Sequence, residues 1–275
     1  MPILRQLYDM YKSQGITIST GLNPSHFGNL PLAPFTWFIN KTGNNLTNGL
    51  GISSLEIYFL ETLFHRYTPK HLFVIGNSFG WSSVALCLLN PSGSVLAIDC
   101  ESDDNTDYGL IVTNKIAQKY NLNLVAVRGR SPNDVAHLAL QHKITPIDFV
   151  FIDGTHTPDQ IIDDFNAIKK WATQNCIYLF HDVQRHHLHE AIKKIAAGNN
   201  LSTKLFLGTS SGMSIVYNGS LCPVINDDIA PFAIDPVVEQ FMRDRARAYQ
   251  YRHLARLSRG LRKRFGLSQQ ARPKS

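Results

Sequence analysis

Residues 72–99 read LFVIGNSFGWSSVALCLLNPSGSVLAID, and this stretch decides the fold. An apolar run, a turn with two glycines, a helical segment and a second apolar run follow one another, and no charged residue occurs before Asp99. Asn, Ser, Pro and Gly interrupt the apolar residues too often for a membrane span. The pattern predicts a strand, a glycine turn, a helix and a second strand, which together form one β–α–β unit.

The same alternation of short β-rich runs and helical stretches continues along the chain. Several runs, such as DFVFID, are almost wholly apolar, as in a sheet that is buried on both faces. We therefore predict a Rossmann-like, doubly wound α/β fold: a mostly parallel seven-stranded sheet with helices on both faces and an antiparallel edge pair. The predicted strands are 72–76, 94–99, 123–128, 147–152, 177–181, 203–207 and 212–217, and the predicted helices are 53–67, 81–89, 108–120, 132–141, 158–172 and 184–196.

Three regions differ in composition and predict the domain organisation. Residues 1–52 are rich in Gly, Asn and Pro in their second half, and we expect an irregular N-terminal segment. Two roles stay open for it: it covers a substrate site, or it simply packs on the main domain. Residues 53–220 carry the α/β pattern and form the main domain. Residues 221–275 form a C-terminal extension.

The extension is strongly basic. Residues 242–275 hold eleven Lys or Arg and one acid, a net charge of +10, whereas the rest of the chain carries −4. Its apolar residues recur at helical spacing, so we predict a basic amphipathic helix that contacts anionic lipid, a partner or a second copy of the chain. The acidic main domain argues against specific nucleic-acid binding.

Cysteine spacing and the first residues predict the compartment. Four cysteines lie far apart without a CxxC pair, which is typical of reduced thiols rather than of disulfides or a zinc site. The first twelve residues are charged and contain no apolar core segment of a signal peptide. We expect a cytoplasmic protein that associates with the membrane surface at most through its basic helix.

The first two strand ends point to an adenosine-containing ligand, because ligands of such sheets bind beyond the carboxyl ends of the strands. The first strand ends in Gly76-Asn77-Ser78-Phe79-Gly80-Trp81, where two glycines let the backbone approach a ligand. The second strand ends in Asp99-Cys100, 23 residues after Gly76, where an acid accepts hydrogen bonds from ribose hydroxyls. The third strand is followed by Arg130-Ser131, which either faces the adenine ring or, through Ser131, caps the next helix.

The fourth and fifth strand ends carry paired acids and histidines. Asp153 ends the apolar strand of DFVFIDGTH, with His156 three residues later, and His181-Asp182 follow the fifth strand. If the two carboxylates converge, they suit a divalent cation such as magnesium. His156 and His181 are also candidates to accept a proton. Two alternatives stay open: Asp182 caps the next helix, and either histidine is a structural hydrogen-bonding residue.

These motifs together resemble the class I S-adenosylmethionine-dependent methyltransferases over residues 53–217. They are most similar to the branch with Asp-Gly-x-His after strand four and His-Asp after strand five, which includes sugar and antibiotic O-methyltransferases. The resemblance implies that Gly76 to Gly80 face the methionine part of the cofactor, that Asp99 holds the ribose and that Arg130 and Ser131 flank the adenine. It places Asp153, His156 and Asp182 at the reaction centre.

Two positions depart from the pattern of this family. Val74 stands where the family usually has an acid near the amino group of the cofactor, and Gln174-Asn175-Cys176 replace a common Gly-Gly pair. We expect methyl transfer from S-adenosylmethionine to a hydroxyl of a sugar, glycan or other small metabolite. Two other functions stay open: a nucleic-acid methyltransferase that uses the basic tail, and a non-catalytic relative that binds adenosine ligands.

Overall fold

The computed structural model describes residues 2–47, 50–100 and 104–264, and the chain divides into two compact units between residues 233 and 234. The first unit is built on a seven-stranded sheet, and a small separate sheet pairs β1 with β2. The large sheet has the strand order β5-β4-β3-β6-β7-β9-β8. The strands are β1 (Thr17–Ser19), β2 (Trp37–Ile39), β3 (His71–Ile75), β4 (Ser94–Asp99), β5 (Leu124–Arg128), β6 (Ile147–Ile152), β7 (Ala172–Phe180), β8 (Ser202–Phe206) and β9 (Met213–Tyr217).

Strands β3 to β7 pair in parallel, and β9 pairs antiparallel with both β7 and β8. The predicted fold class is therefore confirmed, including the antiparallel pair at one edge. The helices are α1 (Ile3–Lys12), α2 (Ser54–Phe64), α3 (Trp81–Leu89), α4 (Asp104–Tyr120), α5 (Val135–Gln141), α6 (Pro158–Ile168), α7 (His189–Gly198), α8 (Cys222–Ile229) and α9 (Pro236–Arg264).

The sheet separates two apolar clusters, as the alternation of side chains along a strand requires. On β3, Leu72 and Val74 belong to one cluster, whereas Phe73 and Ile75 belong to the other. All four side chains are almost completely buried. A strand with apolar side chains on both faces can bury all of them only between two layers of helices.

The N-terminal segment is more regular than we predicted from its composition. Helix α1 buries Leu7 and Tyr11 in the core, and the Tyr11 hydroxyl donates a 2.6 Å hydrogen bond to the carbonyl of Phe79. The apolar residues at positions 3, 7, 10 and 11 have helical spacing, but the glycines and prolines further along the segment masked this short signal. The prediction of an irregular segment is wrong for residues 3–12.

Two predicted boundaries around the fifth parallel strand are also wrong. Strand β7 begins at Ala172 rather than at residue 177, because it pairs with β6 again beyond an irregularity in the register. The next helix begins at His189 rather than at residue 184. Asp182 and His187 have φ angles of 54° and 57°, a left-handed conformation that a helix does not allow, so residues 181–188 form turns.

The second unit contains α9 as its regular element. Tyr249, Tyr251, Leu254 and Leu257 are exposed on it, and Arg243 forms an i,i+4 ion pair with Glu239. Binding of this helix to lipid or to a partner stays a prediction. Among the described helices, none combines the length and apolar character that a bilayer span would need.

Candidate active site

One cavity of about 620 Å³ lies along the carboxyl ends of the parallel strands. The strand order reverses between β3 and β6, which is where a doubly wound sheet binds its ligand. With one exception, Gly80, every residue predicted for the cofactor or for catalysis lines this cavity. The lining members are Gly76, Asn77, Ser78, Trp81, Asp99, Cys100, Arg130, Ser131, Asp153, His156, His181 and Asp182.

The glycine turn after β3 needs both of its glycines, for different reasons. Gly76 has a φ of 93°, and a Cβ atom there would collide with the carbonyl group of Asp153 on the neighbouring strand end. Gly80 has a φ of 77° and packs against Thr113 of α4. Gly80 therefore lies on the side of the turn that packs against α4 and does not line the cavity. We had predicted that it faces the ligand.

Asp99 organises the same turn. Its Oδ2 atom accepts hydrogen bonds from the backbone N–H groups of Asn77 (2.9 Å) and Ser78 (2.7 Å). The buried side chain of Asn77 donates to Thr113 and accepts from Ser83, so the turn is also held from the helical side. Val74, the position that lacks an acid, is fully buried in the core and offers no polar group to the cavity.

Three acids and a histidine meet at the other end of the cavity. His181 Nδ1 lies 2.8 Å from Asp153 Oδ1 and 3.7 Å from Asp182 Oδ1, while its Nε2 lies 3.2 Å from Glu56 Oε2. The structure thus brings Asp153 and Asp182 together against one imidazole ring. Because carboxylates face both ring nitrogens, His181 is held as an imidazolium.

Charge pairing decides the protonation of this cluster. Burial alone would lower the pKa of His181, but the charges of Asp153 and Glu56 hold it well above its usual range. Burial alone would raise the pKa of Asp153, but His181 and the hydrogen bond from His156 lower it to about 2. The pKa of Glu56 is lowered in the same way, chiefly by His181 against the effect of burial. The paired charges therefore persist at neutral pH.

The sequence did not single out Glu56, whose side chain is fully buried. It closes a capping box with Ser53 at the start of α2, and its Oε1 accepts hydrogen bonds from the N–H (3.1 Å) and hydroxyl (2.8 Å) of Ser211. The Ser-x-x-Glu spacing is a visible capping signal. Nothing local in the sequence shows that this carboxylate also reaches His181, 125 positions further along the chain.

His156 lines the cavity and is only partly buried. Its side chain is 20% exposed, and its Nε2 lies 3.3 Å from Asp153 Oδ1 and 3.9 Å from Asp182 Oδ2. Its ring stacks on His186 with centroids 4.9 Å apart. Burial and the neighbouring His156 lower the pKa of His186.

The predicted divalent-cation site at Asp153 and Asp182 stays a prediction: the two carboxylates lie close together, and neighbouring histidines add imidazole nitrogens that could also hold a metal ion. Magnesium prefers oxygen ligands, whereas imidazole nitrogens of His156, His181 and His186 surround Asp153 and Asp182. Moreover, the His181 imidazolium already lies against both acids.

The other end of the cavity, after β5, carries Arg130 and Ser131. The N–H of Arg130 donates to the side chain of Asp134, and α5 begins only at Val135. Asp134 rather than Ser131 occupies the position before the helix, so Ser131 is not its cap. The carbonyl of Ser131 accepts a hydrogen bond from Gln160 of α6.

Residues 73–183 match a family described as a methyltransferase domain. Solved structures with a similar fold include a Staphylococcus aureus protein described as a caffeoyl-CoA O-methyltransferase, at 12% identity and a TM-score of 0.51 over 61% of this chain and 85% of that one. Cofactor-bound Rv0187 from MTB matches at 16% identity with a TM-score of 0.50, over 61% and 81% of the two chains. No curated protein matches the sequence. The family match, together with the sheet order and the glycine turn, shows that the chain contains a methyltransferase domain of the class I, S-adenosylmethionine-dependent type.

Proposed function

We propose that the chain transfers the methyl group of S-adenosylmethionine to a hydroxyl oxygen of a small molecule. One observation carries this proposal: the glycine turn with Asp99 and the Asp153–His156 pair open into the same cavity. A cofactor bound along the strand ends would therefore present its methyl group beside a histidine that can accept a proton.

The cofactor would lie along the strand order. Its methionine part would contact the turn Gly76–Ser78 and Trp81, and its ribose hydroxyls would donate to the carboxylate of Asp99. Cys100, Arg130 and Ser131 would flank the adenine. Asp99 suits this task because its hydrogen bonds to the turn fix the carboxylate in place before any ligand arrives.

A second cavity of about 590 Å³ adjoins the first and suits the acceptor. The two cavities share Leu32, Phe35 and Arg185. The rest of the lining combines an apolar wall with the polar side chains of one glutamine, one threonine and two serines: Leu30, Pro31, Gln184, Leu207, Thr209, Ser210, Ser211 and Gly212. We propose that it receives a small hydroxylated ring compound, sugar residues included, whose ring face packs on the apolar wall.

The reaction needs one proton transfer and one displacement. His156 would take the hydroxyl proton, with its Nε2 side oriented by Asp153, so that its Nδ1 is the accepting atom. The hydroxyl oxygen then attacks the methyl carbon, the C–S bond breaks with its electron pair moving to sulfur, and S-adenosylhomocysteine leaves. His181 has carboxylates at both nitrogens, so we assign it to holding Asp153 in place rather than to accepting the proton.

The test combines cofactor binding with turnover. Calorimetric titration of the full chain with S-adenosylhomocysteine should give a dissociation constant on the order of micromolar. Incubation with S-adenosylmethionine and a panel of catechol, phenolic acids and hexopyranosides should yield a methylated product, with or without a chelator. His156→Ala should keep cofactor affinity and lose turnover by about 100-fold or more.

His137→Ala is the matched control, because His137 is exposed on α5 outside the cavity. Absence of cofactor binding would contradict the proposed function. Full turnover in His156→Ala would instead leave methyl transfer intact and remove His156 as the base.

A further inference from the structure

Arg185 contributes a positive charge to the wall of both cavities, and the proposed chemistry does not use it. Among the described residues that line the second cavity, it is the one with a charged side chain. The cavity that we assign to the acceptor therefore has one positive charge and no negative charge in its described lining. Such a cavity attracts a ligand of the opposite sign.

No acid in the described part of the chain forms an ion pair with the guanidinium of Arg185. Asp182, the nearest acid in sequence, instead faces three histidine rings. The Cζ atom of Arg185 lies 6.0 Å from the centre of the Phe35 ring. A guanidinium that stacks on an aromatic ring keeps its N–H donors at its edge, where a ligand can accept hydrogen bonds from them.

Backbone hydrogen bonds fix the turn that carries Arg185. The N–H groups of Gln184 (3.2 Å) and Arg185 (3.3 Å) both donate to the carbonyl of Ser211, and the N–H of Val183 donates to the carbonyl of Gly212 (2.8 Å). These bonds tie the turn after β7 to the turn before β9. The exposed side chain of Arg185 therefore starts from a backbone that is already held in place.

The same turn brings Arg185 close to the reaction end of the first cavity. Its neighbour in sequence, His186, stacks on His156, the proposed base, with ring centroids 4.9 Å apart. The ring of Phe35, on which the guanidinium lies, meets the ring of His181 edge-on with centroids 6.5 Å apart. One small molecule could therefore present a hydroxyl to His156 and a negatively charged group to Arg185.

We propose that Arg185 selects an acceptor that carries a carboxylate on its hydroxylated ring, such as a hexuronic acid or a hydroxybenzoic acid. This inference rests on the proposed function, because it takes the second cavity to be the acceptor site. A guanidinium matches the shape of a carboxylate and binds it through two parallel N–H···O bonds. One cation also balances one carboxylate, whereas a phosphate monoester carries about two negative charges at pH 7.

The experiment titrates the full chain calorimetrically with pairs of probes that differ in one acidic group, with and without saturating S-adenosylhomocysteine. The pairs are 3,4-dihydroxybenzoate with catechol and methyl glucuronide with methyl glucoside, and glucose 6-phosphate is the phosphate probe. The wild-type chain should bind the carboxylate member of at least one pair about 10-fold or more tightly than its neutral counterpart. Because Arg185 is exposed, this preference should shrink as the salt concentration rises.

Three variants assign the preference to its source. Arg185→Gln should bind both members of the pair with nearly equal affinity, and Arg185→Lys, which keeps the charge but not the planar fork, should retain part of the preference. Lys170→Gln is the matched control, since Lys170 is exposed and lies outside both cavities, and it should keep the full preference. The thermal midpoint of each variant shows that it is folded.

The proposal fails if no carboxylate probe binds better than its neutral counterpart, or if Arg185→Gln keeps the full preference. Tighter binding of glucose 6-phosphate than of methyl glucuronide would overturn the assignment to a carboxylate. Cofactor binding separates this failure from that of the proposed function. A chain that binds S-adenosylhomocysteine without preferring acidic probes refutes this inference alone, whereas a chain that does not bind S-adenosylhomocysteine refutes the proposed function.

Discussion

Buried acids at the two ends of the cavity have different kinds of partner. At the reaction end, Glu56 and Asp153 face the two nitrogens of His181, so each buried negative charge has a positive partner within the protein. At the adenine end, the carboxylate of Asp164 has uncharged hydrogen-bond donors, the side chains of Gln160 and Ser131. The first end is held together by ion pairs, whereas the second holds its acid by hydrogen bonds to uncharged side chains.

The difference also lies in how many elements contribute. The reaction end draws Glu56 from α2, Asp153 from the end of β6, His181 from the end of β7 and Ser211 from the turn before β9. At the adenine end, Asp164 and Gln160 both come from α6, and the loop after β5 adds Ser131. A charge network that joins distant segments restrains the fold itself, so substitutions there should affect stability far more than substitutions at the adenine end.

The largest effect on the free energy of unfolding should come from breaking the ion pairs that His181 forms with Glu56 and Asp153. Glu56→Gln removes one charge and leaves His181 with less compensation, although the amide can still accept a hydrogen bond from Ser53 or Ser211. Breaking a buried ion pair costs about 3–5 kcal/mol, and we expect the free energy of unfolding to fall by that amount at pH 7. Urea denaturation measures it.

Glu61→Gln changes an exposed acid on the same helix and should shift the free energy of unfolding by less than about 0.5 kcal/mol. Equal losses in the two variants would mean that the buried pair contributes nothing special. The comparison between the two ends of the cavity would then lose its energetic basis.

A smaller effect should appear in the pH dependence of stability. The pKa of His181 is raised by folding, so its contribution is complete below the unfolded value of about 6.5 and is lost as pH rises toward the folded value. Above pH 7, and until the pH reaches the raised pKa of His181, the folded chain holds one more proton than the unfolded chain. The free energy of unfolding should therefore fall by about 1.4 kcal/mol per pH unit from this group.

His181→Gln should remove that slope, while His137→Gln, at an exposed site, should keep it. The acids act in the opposite direction: because folding lowers the pKa of Glu56 and Asp153, their contribution is lost as pH falls below about 4. An unchanged slope in His181→Gln would show that His181 is neutral in the folded chain.

The smallest effect on the free energy of unfolding should come from substituting Asp164 at the adenine end of the cavity. Asp164→Asn removes a charge that has no cationic partner and keeps an acceptor for Gln160, so the unliganded chain should change by at most about 1 kcal/mol, toward higher stability. Chemical denaturation without ligand measures this. A loss comparable with that of Glu56→Gln would show that the hydrogen bonds of Asp164 stabilise the fold as much as the ion pairs of His181 do.

Much of the fold and part of the site could be predicted because their signals are local. The apolar runs and the glycine turn depend on residues that are close in sequence, and parallel pairing brings the carboxyl ends of the strands to one edge. Gly76, Asp99, Asp153 and Asp182 were found by this rule alone. Helix α1 was missed because four apolar residues in one short helix are a weak signal beside many turn residues.

The sequence by itself determined the alternation of strands and helices, and with it the edge at which a ligand binds. Only the tertiary structure decided which acids are neutralised and by what. Glu56 and Ser211 are 155 residues apart, and their contact with His181 requires α2, β7 and the turn before β9 to meet. Ion pairing and burial depend on distances between such segments, and these distances exist only in the folded chain.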